Sequence, residues 1–211
     1  MAKNTTPSPK QARAHETIQL LIDATDKVIT GQGEAGVRIQ DISAQTGISI
    51  GSIYHHFGDR DGLIRATQVH KFSDTVRNDI PRVKSFMEQM HKVSDLTDRY
   101  DEMVSFVKSH FKHQTAVERT AVIGNTVGRP LMMSELVTAQ TDLIDSCTEA
   151  VQPLYERGLF KEHLSARAVA VVVLGLLLGR AVTELDATPI ADEAWARAML
   201  SAFAGMFKPN E

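Results

Sequence analysis

Residues 38–63 read RIQDISAQTGISIGSIYHHFGDRDGL. Two short helical segments, Arg38 to Thr46 and Ser49 to Phe57, flank a single glycine, Gly47. Ile39 and Ile42 on the first segment, Ile48 at the turn, and Ile53 and Phe57 on the second are spaced to meet in one small core. Glycine at the junction permits the left-handed backbone that a sharp helix reversal requires. Ser43 supplies a small side chain where the two helices cross. This is helix-turn-helix patterning, in which the second helix can lie in the major groove of DNA.

Outward from this unit the pattern stays helical. Ile18, Leu21, Ile22, Thr25, Val28 and Ile29 recur at spacings of three and four, predicting a long helix from about Gln11 that ends before GQGEAG, residues 31–36. Asp59 is placed to cap a helix beginning at Arg60. Pro81 starts or kinks the next helix, and Thr97 to His113 carries Tyr100, Met103, Val104, Val107 and Phe111 on one side. Beyond Pro130, the stripe Leu136, Leu143, Ile144, Cys147, Val151 and Leu154 predicts a helix ending near Gly158. Two more helices follow, Ser165 to Leu185 and Asp192 to Phe207, the latter with Asp192 as its N-cap. No run alternates β-branched with polar residues, so the fold expected is all-α. Residues 1–9 read as a tail, 10–66 as a three-helix domain completed by the start of a fourth helix, and 67–211 as a second helical domain.

Composition narrows the functional classes. The 211 residues carry 23 Lys+Arg against 26 Asp+Glu, which excludes a polybasic protein. One cysteine cannot form an internal disulfide, which points to a reducing, cytoplasmic setting. The N-terminal MAKNTTPSPK lacks the apolar stretch of a signal peptide. The longest apolar run, Ala168 to Gly179, is bounded by Arg167 and Arg180 and falls short of the roughly 20 residues a membrane span needs. Burial against a second copy of the chain accounts for it, and no membrane association is expected.

The segment resembles the DNA-binding domain of TetR-family transcriptional regulators. The resemblance rests on Gly47-Ile48-Ser49, on Gly51 through Phe57, on Gly58-Asp59-Arg60, on the Asp41-Ile42 pair and on the preceding long helix. It covers about Glu16 to Ala66. It implies a homodimer that binds a palindromic double-stranded operator, acting as a repressor released by a small-molecule effector. By position it assigns DNA contacts to Arg38 and Gln40, to Ser49, Ile50, Gly51, Ser52, Tyr54, His55 and His56 on the recognition helix, and to Arg60 as a phosphate grip. The chemistry agrees: hydroxyl and Arg groups donate to phosphate oxygens, Gln40 matches an adenine edge, and Ile50 a thymine methyl. Met103, Val107, His110, Phe111 and Met132 are the candidate effector contacts among the middle helices. Three positions depart from the family pattern. Arg38 stands where Ser or Thr often caps the helix, Ser43 where Ala is usual, and Ile50 where polar residues are common.

Several features have plainer readings. Tyr54 could brace the two helices from within, and His55 and His56 could be a solvated helix end. Ordinary packing accounts for the methionines, including Met87, Met90 and Met133, as well as a cavity does. Cys147 falls on an apolar stripe, as a buried inert thiol does. His110 and His113 have a spacing able to share a metal but no identifiable third ligand, and no catalytic motif or cofactor site is apparent. The first 66 residues hold seven Lys/Arg and seven Asp/Glu, so the domain lacks the usual basic footprint of a DNA binder. DNA binding then requires Lys10, Arg13, Arg38, Arg60, His55 and His56 to be gathered on one face. The neutral balance keeps a protein-interaction module open as an alternative, with an all-α enzyme using the central cavity further behind. If His55 and His56 add charge beside DNA, operator affinity at fixed salt will be higher at pH 6 than at pH 8; equal affinity removes that role.

Overall fold

The computed structural model describes residues 8–209. The expected tail therefore lies outside the described residues as far as Pro7. Ser8 and Pro9 belong instead to the first helix, α1 (Pro9–Gln32). Ser8 caps it, accepting from the Gln11 amide, while the Gln11 side chain accepts from the Ser8 amide. This reciprocal capping box satisfies two otherwise free donors. A single 3-10 turn, Glu34–Gly36, occupies the end of the glycine-rich loop.

The motif helices follow: α2 (Ile39–Thr46), α3 (Ile50–Phe57) and α4 (Arg60–Arg77). Their core gathers Leu21, Ala24, Val37, Ile39, Ile42, Ile53, Leu63 and Ile64, flanked by Val28, Ile29, Ile48 and Phe57. Every isoleucine expected at this junction is in it. Fully burying one such side chain contributes about 1.5–3 kcal/mol, so the eight suffice for a compact small domain. The chain divides into two compact units, the first ending at Lys71 and the second starting at Phe72.

The second unit contains α5 (Ile80–Glu88), α6 (Ser94–Asp98), α7 (Tyr100–His110), α8 (His113–Gly124), α9 (Pro130–Glu156), α10 (Ala166–Gly179) and α11 (Asp192–Ala204). Pro81 and Pro130 sit in the first turns of α5 and α9, where the missing amide proton costs nothing. Among the described residues there is no strand; Phe160 and Phe207 form one isolated antiparallel bridge. The fold is all-α, a helix-turn-helix unit followed by a helical one.

Several boundaries differ from the periodicity reading. The segment expected at Thr97 to His113 is divided between α6, α7 and the start of α8. The apolar helix is shorter than expected: Ser165 is its N-cap, and it tightens into a 3-10 turn, Arg180–Leu185. That change coincides with the buried Arg180 guanidinium, which pairs with Asp192 and lies over the Trp195 ring at 4.5 Å. Asp192 is therefore an ion-pair partner in the first turn of α11, and Ala191 is the N-cap. The last helix stops at Ala204, because Phe207 turns back to stack with Phe160 and Phe203. Residues Ala166–Thr183 form a window apolar enough to pass for a membrane span. The regular helix α10 is only 14 residues, about 21 Å by helix rise, shorter than the roughly 30 Å hydrocarbon layer.

Gly62 was not singled out by sequence. A Cβ there would lie 1.9 Å from the Phe57 carbonyl oxygen, so the end of α3 and the start of α4 can approach only through glycine. Gly62→Ala should destabilise the protein by about 1–3 kcal/mol in chemical unfolding, the cost of overpacking. Gly51→Ala, where a Cβ meets nothing within 4 Å, should be neutral or slightly stabilising.

Candidate functional site

Three local devices position the recognition helix. Gly47 ends α2 with φ 73° and ψ 6°, and its amide donates to the Ser43 carbonyl. The Ser43 hydroxyl donates to the Ile48 carbonyl at 2.7 Å, so the serine standing in place of the usual alanine ties the turn. Ser49 caps α3, its hydroxyl oxygen accepting from the Ser52 amide at 3.2 Å and leaving its own proton available outward. After α3, Gly58 takes φ 80°, and Asp59 accepts from the Gly62 amide at 2.6 Å, acting as the expected cap of α4.

On α3, Ile53 is completely buried and Tyr54 is 46% exposed. Gly51, Tyr54 and His55, spaced i, i+3 and i+4, share the outward face. Ser49 and Ile50 are exposed beside them, and Ser52 is half-buried. His56 is half-buried too, its ring edge-on to His55 at 5.4 Å and to Phe57 at 6.3 Å. Arg38 and Gln40 are exposed at the start of α2. Arg38 occupies the N-cap position with no side-chain cap bond, as its departure from the usual Ser or Thr anticipates. An α-helix start without a capping side chain offers amide donors to an anion.

Arg60 is placed differently from the phosphate grip the resemblance implies. Its Nε donates to the Val37 carbonyl at 2.8 Å, its Nη2 to the Glu34 carbonyl, and its Nη1 to Asp61 at 3.1 Å. The guanidinium braces the 3-10 turn and the strand of chain entering α2. Of the other cations invoked for a positive face, Arg13 is exposed, and the Lys10 side chain lies outside the described residues.

The second unit holds an apolar cavity of about 170 Å³. Met103, Val107 and Phe111 line it, with Phe86, Val151 and Leu177 among others. An engineered apolar cavity of about 150 Å³ admits benzene, so the space suits a ring-sized group. Two expected contacts are elsewhere. Met132 is buried in a separate cluster with Phe72, Val122 and Leu136. His110 stands behind the wall, stacked on Phe106 at 4.5 Å, with Nδ1 donating to the Phe106 carbonyl and Arg82 donating to Nε2 at 2.6 Å. The polar lining residues, Asp79, Arg82 and Glu102, carried no periodicity signal. The His113 side chain lies outside the described residues, and no group of three metal ligands occurs among those described.

Cys147 also lines the cavity, and burial pushes its thiol up to about 11 from 9.0. Near it, Arg119 is 3% exposed, with Nη2 donating to Gln140 at 3.4 Å and the guanidinium over the Phe72 ring at 4.3 Å. Its Nε is buried without a partner. Leaving a buried donor unpaired costs about 1–3 kcal/mol.

The geometry has counterparts among known proteins. Residues 21–67 match the model of the bacterial regulatory proteins of the tetR family. A transcriptional regulator named BetI from Paraburkholderia phytofirmans is 43% identical over 54 residues, and one from Burkholderia thailandensis 41%. Those stretches are 26% of this chain and 28% of the relatives' length. Among solved structures, a TetR-family regulator from Mesorhizobium loti superposes with a TM-score of 0.68 at 17% identity, covering 92% of this chain and 98% of that one. FadR of Bacillus subtilis, solved with stearoyl-CoA, gives 0.58 at 14% identity, covering 90% and 99%.

A thiol displaced from 9.0 to about 11 holds roughly 100-fold less thiolate at pH 8. Alkylation of Cys147 should therefore be about that much slower than for a free thiol, rising tenfold per pH unit past pH 9; a rate that levels off near pH 9 would contradict this environment. Taken together, the helix-turn-helix geometry, the family match and the shared fold place this chain, through its N-terminal domain, in the TetR family of bacterial regulatory proteins.

Proposed function

We propose that the protein is a cytoplasmic transcriptional regulator that binds a palindromic DNA operator as a homodimer, represses from it, and is released by a small-molecule effector. The observation that carries this reading is the outward face of α3: Tyr54 is exposed together with Gly51 and His55 while Ile53 anchors the opposite side. Tyr54 and Ser49 would donate to phosphates and Gln40 would read a base edge, with Arg38 and the open start of α2 adding phosphate contacts. Arg60 serves this interface by bracing the approach to α2.

A second copy is the occupant proposed for the outer faces of α10 and α11. Val171 and Val172 are 45% and 47% exposed, and Ala168 and Gly175 extend that face by one turn on either side. On α11 the exposed positions include Ala194, Ala198 and Ala202. Small side chains let helices approach closely, and an isologous four-helix contact buries both faces at once. Such a dimer sets two recognition helices about 34–36 Å apart, in successive major grooves. The cavity is the proposed effector site. Helix α4 buries Leu63 and Ile64 in the first unit, and its Val76 is in the cavity wall of the second. An effector that binds one arrangement of α4 better than another shifts the population toward it.

The test is anisotropy titration with promoter DNA from beside its own gene. Gln40→Ala with Tyr54→Ala should weaken binding at least roughly tenfold while leaving helix content and dimer sedimentation unchanged. Undiminished binding refutes the interface. Arg38→Ala should lower the salt slope by about 0.9, the signature of a lost phosphate contact, whereas Arg60→Ala should weaken binding with the slope intact. A wild-type monomer at micromolar concentration would refute the dimer.

A further inference from the structure

Arg119 is a buried cation whose surroundings do not balance it. Its side chain is 3% exposed, and its polar contacts are one amide oxygen, Gln140 Oε1 at 3.4 Å, and the face of Phe72. Its Nε has no partner, and no ion pair with a carboxylate involves it among the described residues. Other buried or half-buried arginines here are answered. Arg180 pairs with Asp192, Arg157 donates to the Met87, Met90 and Glu88 carbonyls, and Arg60 to the Val37 and Glu34 carbonyls.

The position of Arg119 ties it to the cavity. Phe72, beneath its guanidinium, is one helical turn before Val76, which lines the cavity. Gln140 is on α9, two turns before Cys147, another lining residue. Charge on Arg119 acts on the Cys147 thiol across this wall. The polar residues facing the cavity directly are Asp79, Arg82 and Glu102. Arg82 is exposed and donates to His110, and Glu102 is held by Arg99. The positive charge left for a ligand is that of Arg119, and its field reaches the cavity through low-dielectric surroundings that screen it weakly.

We propose that the effector is a small apolar monocarboxylate, its ring-sized body filling the 170 Å³ cavity and its carboxylate drawn to the Val76–Cys147 wall by Arg119. The proposal rests on the reading of this cavity as the effector site. A carboxylate supplies the acceptor that the Nε donor lacks, in a charge-assisted bond. An uncharged analogue of the same shape gains only the apolar burial.

The test uses the full-length protein and three probes of one shape: 3-phenylpropanoate, 3-phenylpropan-1-ol and 3-phenylpropanamide, titrated by calorimetry at pH 7.5. The wild type should bind the carboxylate about tenfold or more tighter than either neutral probe. Arg119→Met should erase that preference while still binding the alcohol, Arg119→Lys should restore part of it, and Arg82→Gln should leave it unchanged. Equal affinity for the three probes in the wild type overturns the proposal whatever the variants do, as does no binding at millimolar concentration. A preference lost in Arg82→Gln but kept in Arg119→Met assigns the charge elsewhere and overturns it too. Operator binding by the same preparations is measured in parallel, so failure of the ligand class and failure of the regulator reading are told apart.

Discussion

The complete burial of Ile53 is the constraint on which the rest depends. Because α3 is only eight residues long, one anchored side chain fixes its rotation. With Ile53 turned into the cluster of Leu21, Ile42, Leu63 and Ile64, helical geometry sends Gly51, Tyr54 and His55 the other way. The left-handed Gly47, the Ser43 to Ile48 bond and the Ser49 cap then set where α3 begins. None of these touches a ligand. Together they make a short helix, unstable alone, into a rigid presenter of side chains.

The arginines show how tertiary packing redistributes charge. A domain of zero formal charge must rely on placement, and the structure spends Arg60 on carbonyls near the start of α2. That makes the contact surface poorer in cations and leaves Arg38, hydroxyls, amides and helix starts as its donors. In the second unit Arg157 gathers the carbonyls at the end of α5, and Arg180 holds α10 to α11 through Asp192. Arg119 alone in this group meets only a weak amide contact and a ring. A buried guanidinium costs desolvation whether or not it is answered, so its neighbours carry information about what is meant to answer it.

The cavity and its wall follow from the same economy of helix faces. Residues on α4, α5, α7, α9, α10 and α11 meet around it, mostly apolar and individually unremarkable in sequence. Met103 and Met132 are both buried methionines on amphipathic helices, yet the first borders the void and the second packs solidly with Phe72. What separates them is the shape left between helices, which no single helix encodes.

The chain by itself determined the class of fold, the helix-turn-helix unit, its core isoleucines and the left-handed turn. Those depend on contacts within a few residues and on steric rules that act locally. It also marked Asp59 as a cap and Arg38 as a position without one. Only the tertiary structure decided that Arg60 bends back to Val37 and Glu34, that Gly62 is required by the Phe57 carbonyl 1.9 Å from where a Cβ would stand, and that Arg119 lies buried beside the cavity wall. The physical reason is range. Periodicity and capping are settled over one or two helical turns, whereas the partner of a long flexible side chain and the space between packed helices are settled by segments brought together from distant parts of the chain.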